Sequence, residues 1–157
     1  MHMTVSSIVE GHGEVAALPV LLRRLGEWKT PGTFVHIPPP IRVHKDRFLN
    51  RETEFNRHLL LAAGKSHANG WILILLDADD DCPKERSAEI VRRAEHCLPH
   101  QRISVVMANR EYEAWFIAAA QSLHGQRGFS YDARQAVAAE QPRNAKGWIS
   151  QQMKSGC

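Results

Sequence analysis

Four aspartates follow the unbroken apolar run Trp71–Leu76 within five positions. Such a run predicts a strand buried on both faces, and open α/β sheets bind ligands at the carboxyl ends of such strands. Asp77 and Asp79 are two residues apart, so their carboxylates point to the same side of an extended chain. Carboxylates this close repel each other, which makes a divalent cation the expected counterion. Asp80 and Asp81 are assigned mainly to capping the helix that follows.

Two further acidic pairs also follow predicted strands: Glu10 with Glu14, and Glu111 with Glu113. If the three strands are parallel neighbours, all three acidic clusters reach the same edge of the sheet. Mg²⁺ or Mn²⁺ held there by carboxylates and a substrate phosphate can activate water against a phosphodiester. The pattern therefore predicts metal-assisted phosphoryl transfer, whereas a solvated loop position explains any one of these carboxylates taken alone.

Apolar runs and apolar periodicity predict the elements that position these residues. The predicted strands are Thr4–Val9, one bent or edge strand over Phe34–His44 that three prolines interrupt, Trp71–Leu76 and Ile103–Met107. The predicted helices are Val15–Trp28, Arg51–His67, Pro83–Cys97, Tyr112–Ala120, Asp132–Glu140 and Lys146–Lys154. This alternation predicts an α/β, Rossmann-like fold, with a mostly parallel central sheet of about four strands and helices on both faces.

Length and composition predict a single domain over residues 1–157. The chain has 43% hydrophobic and 24% charged residues, as ordinary globular proteins do. It contains no apolar run of membrane-spanning length and no signal-peptide pattern, so we expect a cytoplasmic protein without a membrane partner. Cys82, Cys97 and Cys157 are too widely spaced for a zinc site and predict reduced thiols.

A formal charge of +3 permits nucleic-acid binding without requiring it. Arg42, Lys45 and Arg47 belong to the densest basic run, which is explained equally well as a nucleic-acid contact or as a solvated segment. Arg110 is a candidate phosphate contact, with a paired surface arginine as the alternative. His12 lies between two glycines and is a candidate for a metal or phosphate role, with a solvated loop histidine as the alternative.

Three segments together resemble the Toprim domain: VEGHGE at residues 9–14, LLDADDD at 75–81 and NREYEAWF at 109–116. Topoisomerases, bacterial primases and overcoming-lysogenization-defect (OLD) nucleases share that domain. The chain looks closest to a bacterial family of uncharacterised Toprim-like proteins related to the OLD nucleases. The resemblance covers roughly residues 4–120, the expected core. The resemblance implies that residues 121–157 form a helical extension that is truncated relative to members of that family.

The resemblance implies a role for each acidic residue. Glu10 would be a metal ligand or general acid/base, and Asp77 and Asp79 would be the metal ligands of the Asp-x-Asp motif. The further implied metal ligands are Glu14 and Glu113, and the secondary candidates are Glu111, Asp81 and His12.

The implied function is that of a Mg²⁺-dependent (or Mn²⁺-dependent) Toprim-type nuclease acting on DNA or RNA. The first alternative is a catalytically quiet Toprim-like subunit that binds an ABC-type ATPase in a bacterial defence system. The second is a haloacid-dehalogenase-type phosphatase, whose superfamily also has a buried strand ending in Asp-x-Asp. Against it, Asp81 occupies the position expected for threonine, and the strand comes third along the chain.

Overall fold

A computed structural model describes residues 2–67 and 70–153. Its contacts divide the chain into two compact units. We call residues 1–76 and 83–107 the sheet unit, and residues 77–82 and 108–157 the C-terminal unit. The expectation of one domain with a core over residues 4–120 stays a prediction.

Five strands form one mostly parallel sheet with flanking helices, which confirms the predicted α/β class and is consistent with a Rossmann-like fold. The strands are β1 (His2–Val9), β2 (Phe34–His36), β3 (Ile41–Arg42), β4 (Trp71–Asp77) and β5 (Arg102–Ala108). Their order is β2-β1-β4-β5, and β3 also pairs with β1. Strand β1 is parallel to β2, β3 and β4, with Val9 opposite Leu75.

The bent edge strand predicted over residues 34–44 is present as two short strands. Strand β2 pairs with the start of β1, where His2 lies opposite Phe34. Strand β3 pairs with its end, where Ile8 lies opposite Ile41. Ile8 also pairs with β4, so β3 occupies the other side of β1. The prolines at 38–40 separate β2 from β3 because a proline has no N–H to donate to a ladder.

The core of the sheet unit lies around β1 and β4. Ile8, Ile72 and Ile74 are fully buried, as the apolar runs predicted. Phe48 and Phe55 pack against each other, with ring centroids 4.9 Å apart. The apolar run over residues 103–107 predicts a buried strand as well. That prediction was wrong, because β5 is the last strand in the sheet order and Val106 is 37% exposed.

Four helices belong to the sheet unit. They are α1 (His12–Lys29), α2 (Lys45–Asn50), α3 (Glu52–Ser66) and α4 (Pro83–Cys97). Only α2 was not predicted. Arg51 has an extended backbone, with φ −117° and ψ 108°, and it ends α2 and starts α3. A helix of six residues offers too little periodicity to be recognised in the sequence.

The C-terminal unit contains α5 (Ala114–Ala118), α6 (Ala120–Leu123), a 3₁₀ turn (Ala133–Gln135) and α7 (Ala145–Gln152). The single helix predicted over 112–120 was wrong, because Ala119 leaves the helical conformation with φ −92° and ψ 4°. The helix predicted over 132–140 was also wrong. The Asp132 carboxylate accepts the Arg134 N–H at 2.9 Å and so caps a helical turn, but the backbone becomes extended at Ala136, with φ −60° and ψ 134°. Lys154, the predicted end of the last helix, lies outside the described residues.

Two cysteines of the sequence can be placed: Cys82 is exposed, Cys97 is half-buried, and neither forms a disulfide. Cys157 lies outside the described residues. None of the helices in the described part of the chain combines the length and the hydropathy needed to span a bilayer.

Candidate functional site

The first acidic pair lies in the loop between β1 and α1, within the sheet unit. Gly11 is the N-cap of α1, and its N–H donates a hydrogen bond to Glu14 Oε1 at 3.2 Å. Glu14 is 4% exposed, and a Cβ at Gly11 would overlap its other carboxylate oxygen. The buried carboxylate therefore caps the helix N-terminus, where the helix dipole favours a negative charge. The role of Glu14 as a metal ligand stays a prediction.

Glu10 directly follows β1 and is half-buried. Its carbonyl oxygen accepts a hydrogen bond from Arg42 Nε at 3.1 Å. Arg42 belongs to β3 and lies opposite Val9 in the ladder. The Arg42 side chain thus stabilises the backbone of the loop that carries Glu10. The basic composition of residues 42–51 does not predict this contact. His12, the first residue of α1, is exposed.

The rest of the predicted basic run lies on α2. Lys45 begins this helix, and Arg47 forms an ion pair with Glu54 of α3 at 3.0 Å. Burial raises the pKa of Glu54, but the charges of Arg47, Arg57 and His58 act the other way, and the net result is a pKa below the usual value. Arg47 therefore has a structural partner within the sheet unit, and the assignment of this run to nucleic acid stays a prediction.

The aspartates at the end of β4 form a turn, which we call the aspartate turn (residues 77–82). Asp77 is half-buried and ends the strand, whereas Asp79 is exposed. Asp79 has a left-handed backbone with φ 52°, and the Asp81 N–H donates to the Ala78 carbonyl at 2.9 Å. The chain is therefore not extended at Asp79. Strand alternation assumes an extended chain, so it does not support a shared direction for the Asp77 and Asp79 carboxylates, and that direction stays a prediction.

A second turn, which we call the arginine turn (residues 109–113), is hydrogen-bonded to the aspartate turn. The Tyr112 N–H donates to Asp77 Oδ1 at 2.7 Å. The Asp79 N–H donates to the Arg110 carbonyl at 2.9 Å. Arg110 also has a left-handed backbone, with φ 61°. Two such non-glycine residues cost about 1–2 kcal/mol each, and strain of this kind clusters at functional sites.

The side chains of the two turns meet around Asp80. Its Oδ1 atom lies 3.5 Å from Arg110 Nη1 and 3.4 Å from Arg143 Nη1. These groups line a pocket of about 90 Å³, which we call the arginine pocket; its residues are Asp79, Asp80, Arg110, Glu111 and Arg143. The sequence assigned Asp80 mainly to helix capping, whereas the structure pairs it with two arginines. Arg110 forms an ion pair, as the second of its two interpretations, a paired surface arginine, predicted.

Arg143 was missed by the sequence interpretation. It lies in the irregular segment before α7, where no periodicity or motif distinguishes it from the other surface arginines. Only the folded chain brings it to Asp80.

The third acidic pair separates into two different environments. Glu111 Oε2 accepts the N–H of Ala145, the first residue of α7, at 2.9 Å. Asn144 Oδ1 accepts the Gly147 N–H at 2.8 Å, so two side chains cap this helix. Glu113 is half-buried and immediately precedes α5. Glu111 therefore has a structural role, and the metal role of Glu113 stays a prediction.

No group of three or more His, Cys, Asp or Glu side chains that could hold a metal ion occurs among residues 2–67 and 70–153. Mg²⁺ is usually held by only one or two carboxylates together with water and substrate phosphate. Asp77 and Asp79 supply hard oxygen donors of that kind within one turn. Their chemistry fits magnesium better than zinc, which prefers nitrogen and sulfur ligands.

A larger pocket, of about 510 Å³, lies in the sheet unit between residues of α3 and α4 that include Phe55, Arg93 and Cys97. Arg93 stacks over the Phe55 ring at 4.1 Å and donates to the Leu49 carbonyl at 2.8 Å. None of the site residues expected from the sequence lines this pocket. We therefore place the candidate chemistry at the two turns, where carboxylates and guanidinium groups are grouped, and not in the larger volume.

The chain was compared with models of known families. The model described as Domain of unknown function (DUF4276) matches residues 9–147, a span that includes both turns and the loop before α1. No curated protein and no solved structure matches the chain.

Proposed function

The chain belongs to the DUF4276 family of domains, and we propose that it is a Mg²⁺-dependent nuclease of Toprim type that cleaves nucleic-acid phosphodiesters. One observation carries the proposal: β1 and β4 are neighbouring parallel strands, with Val9 opposite Leu75. Glu10 directly follows β1, and Asp77 is the last residue of β4. Acidic residues thus stand at the carboxyl ends of adjacent parallel strands, where open α/β sheets bind their ligands.

In this proposal Asp77 and Asp79 are the metal ligands, and Glu10 is a ligand or general acid/base. Glu14 and Glu113 are proposed as further carboxylate ligands for the metal. When bound, Mg²⁺ would polarise the phosphodiester and lower the pKa of a bound water. The Tyr112 N–H holds one oxygen of Asp77 at 2.7 Å, which orients the carboxylate in advance.

A substitution at Asp77 tests the proposal. Asp77→Asn removes the charge but keeps an oxygen that can accept the Tyr112 N–H, so the fold should persist. The assay measures cleavage of supercoiled plasmid, single-stranded DNA and RNA in the presence of Mg²⁺, of Mn²⁺ or of a chelator. In Mg²⁺, the wild-type chain should cleave at least one of these substrates, and Asp77→Asn should lower the rate about 100-fold or more.

Asp46→Asn is the matched control, because Asp46 is an exposed carboxylate in the first turn of α2. It should leave the cleavage rate unchanged. Equal rates for the two variants, or a wild-type chain that cleaves none of the substrates with either metal, would contradict the proposed function.

A second candidate is a catalytically quiet subunit that binds a partner protein, for which we propose an ABC-type ATPase. Exposed apolar side chains favour it. Trp28 and Val20 of α1 are 69% and 49% exposed, and Phe34 of β2 is 65% exposed. Contiguous exposed apolar surface is typical of protein interaction sites, and α1 contacts β2 within the sheet unit.

A further inference from the structure

We propose that Arg110 and Arg143 form a phosphate clamp, and that the Asp80 carboxylate is an internal stand-in for the phosphate. The clamp lies wholly within the C-terminal unit. Its assignment to a phosphate of the nucleic-acid substrate rests on the proposed nuclease function. The existence of an oxyanion site at these two arginines is independent of that function.

The geometry of the two guanidinium groups carries the inference. The Nη1 atoms of both arginines lie within 3.5 Å of the same oxygen, Asp80 Oδ1. Guanidinium groups that converge on one oxygen are well suited to phosphate, which offers several acceptor oxygens to planar donors. The arginine pocket, of about 90 Å³, has room for the two non-bridging oxygens of a phosphodiester, since a water molecule occupies about 30 Å³ in the liquid.

Both arginines stand on anchored backbone. Arg110 has a left-handed conformation, and its carbonyl accepts the Asp79 N–H at 2.9 Å. Arg143 is followed by the capped start of α7, where Ala145 is tied to Glu111 at 2.9 Å. The backbone positions from which the two side chains reach Asp80 are therefore set before a ligand arrives, which lowers part of the entropic cost of binding.

The Asp80 carboxylate can be displaced from the two arginines by a ligand. The side chains of Asp80 and Arg143 are each 75% exposed, so water screens their attraction. Exposed ion pairs of this kind contribute little to stability. A phosphate can therefore displace the carboxylate at small cost. The same argument predicts that the negative charge of Asp80 weakens anion binding.

Binding of a fluorescein-labelled single-stranded oligonucleotide to the full chain tests the clamp, measured by anisotropy in a chelator so that cleavage does not interfere. Arg143→Ala should weaken binding about fivefold to tenfold and reduce the slope of log K against log salt by about one. Arg143→Lys should restore part of the affinity, because it keeps the charge without the planar fork. Asp80→Asn should bind more tightly than the wild-type chain.

Arg134→Ala is the matched control. Arg134 is an exposed arginine of the same unit that pairs with Asp132 at 2.9 Å, outside the arginine pocket. It should change the affinity less than twofold. Equal losses for Arg143→Ala and Arg134→Ala, weaker binding by Asp80→Asn, or no binding by the wild-type chain would each overturn the clamp.

Inorganic phosphate distinguishes the two sources of the ligand. Phosphate that competes with the oligonucleotide in the wild-type chain, but not in Arg143→Ala, supports a clamp for the substrate backbone. Phosphate binding that depends on Arg143 while oligonucleotide binding does not would overturn the assignment to a nucleic acid. Arg143-dependent oligonucleotide binding without cleavage in Mg²⁺ supports the clamp while contradicting the nuclease. Cleavage that is insensitive to Arg143→Ala supports the nuclease while contradicting the clamp.

Discussion

The carboxylates of Glu14 and Glu111 each accept a backbone N–H near the start of a helix, at 3.2 and 2.9 Å respectively. Both are therefore held where the partial positive charge of a helix favours a negative side chain. Asp80, in contrast, lies between two guanidinium groups. Acidic residues that are alike in the sequence thus have different partners, and the candidate chemistry concentrates on Asp77 and Asp79.

Cysteine reactivity gives a prediction at the scale of single residues. Burial raises the pKa of the Cys97 thiol, whereas Cys82 is exposed. Since the thiolate is the reactive form, Cys82 should react faster with a disulfide reagent near neutral pH, and Cys97 should catch up as the pH rises. Stopped-flow labelling of a Cys157→Ser chain, with Cys97→Ala to assign the phases, measures both rates. Faster labelling of Cys97 at neutral pH would contradict the assignment.

The same shift has a consequence for stability, and its sign follows from linkage. The Cys97 pKa is higher in the folded than in the unfolded chain, so the neutral thiol is favoured by folding. This contribution is complete below the ordinary thiol pKa and is lost as the pH rises through the raised value. The alkaline loss of stability should therefore be smaller in Cys97→Ala than in the wild-type chain.

At the scale of elements, the junction between α3 and β4 depends on Gly70. This residue is buried, and a Cβ placed there would overlap the backbone carbonyl of Ser66. A backbone atom cannot move aside as a flexible side chain can. We expect Gly70→Ala to lower the free energy of unfolding by about 2 kcal/mol or more, measured by urea denaturation.

Gly64→Ala is the control for this junction. Gly64 lies inside α3, and a Cβ there meets nothing within 4 Å. Alanine is the better helix former, so this variant should raise the free energy of unfolding by up to about 1 kcal/mol. If both variants shift the urea midpoint in the same direction, the steric account of Gly70 is wrong.

Elements differ in how well the sequence predicted them. Strands β1 and β4 and the longer helices carry their signal within a few consecutive turns or alternations, and their positions were confirmed. The irregular segment from 124 to 144 lacks such periodicity. There Asp132 caps a single 3₁₀ turn, which ends where the backbone becomes extended at Ala136, so the helix predicted over 132–140 does not form.

At the scale of the whole molecule, the exposed apolar residues of α1 and β2 bear on the second candidate function. Trp28 is 69% exposed, and the Nζ atom of Lys29 lies 3.5 Å from the centroid of its ring. If this surface binds an ABC-type ATPase, Trp28→Lys should weaken the complex of the two purified proteins about tenfold or more, since buried tryptophans dominate interface energies. Analytical ultracentrifugation measures the complex, and the thermal midpoint should shift by no more than about 2 °C.

Leu60→Lys provides the comparison, because Leu60 is 58% exposed on α3 of the same unit. It should leave the complex intact. The partner-binding hypothesis loses its support if Trp28→Lys associates as tightly as Leu60→Lys does, or if the wild-type chain forms no complex with the ATPase.

The sequence by itself determined the α/β class, the buried strands β1 and β4, and the presence of acidic residues after three strands, because these are local properties of the chain. Only the tertiary structure decided which partner each charged side chain has. Arg110 and Arg143 are far from Asp80 along the chain, and no local pattern encodes their approach. The left-handed backbone of Asp79 is likewise stabilised by its hydrogen bond to Arg110, a contact between distant segments. Local periodicity encodes elements, whereas a site depends on contacts that exist only after those elements have packed.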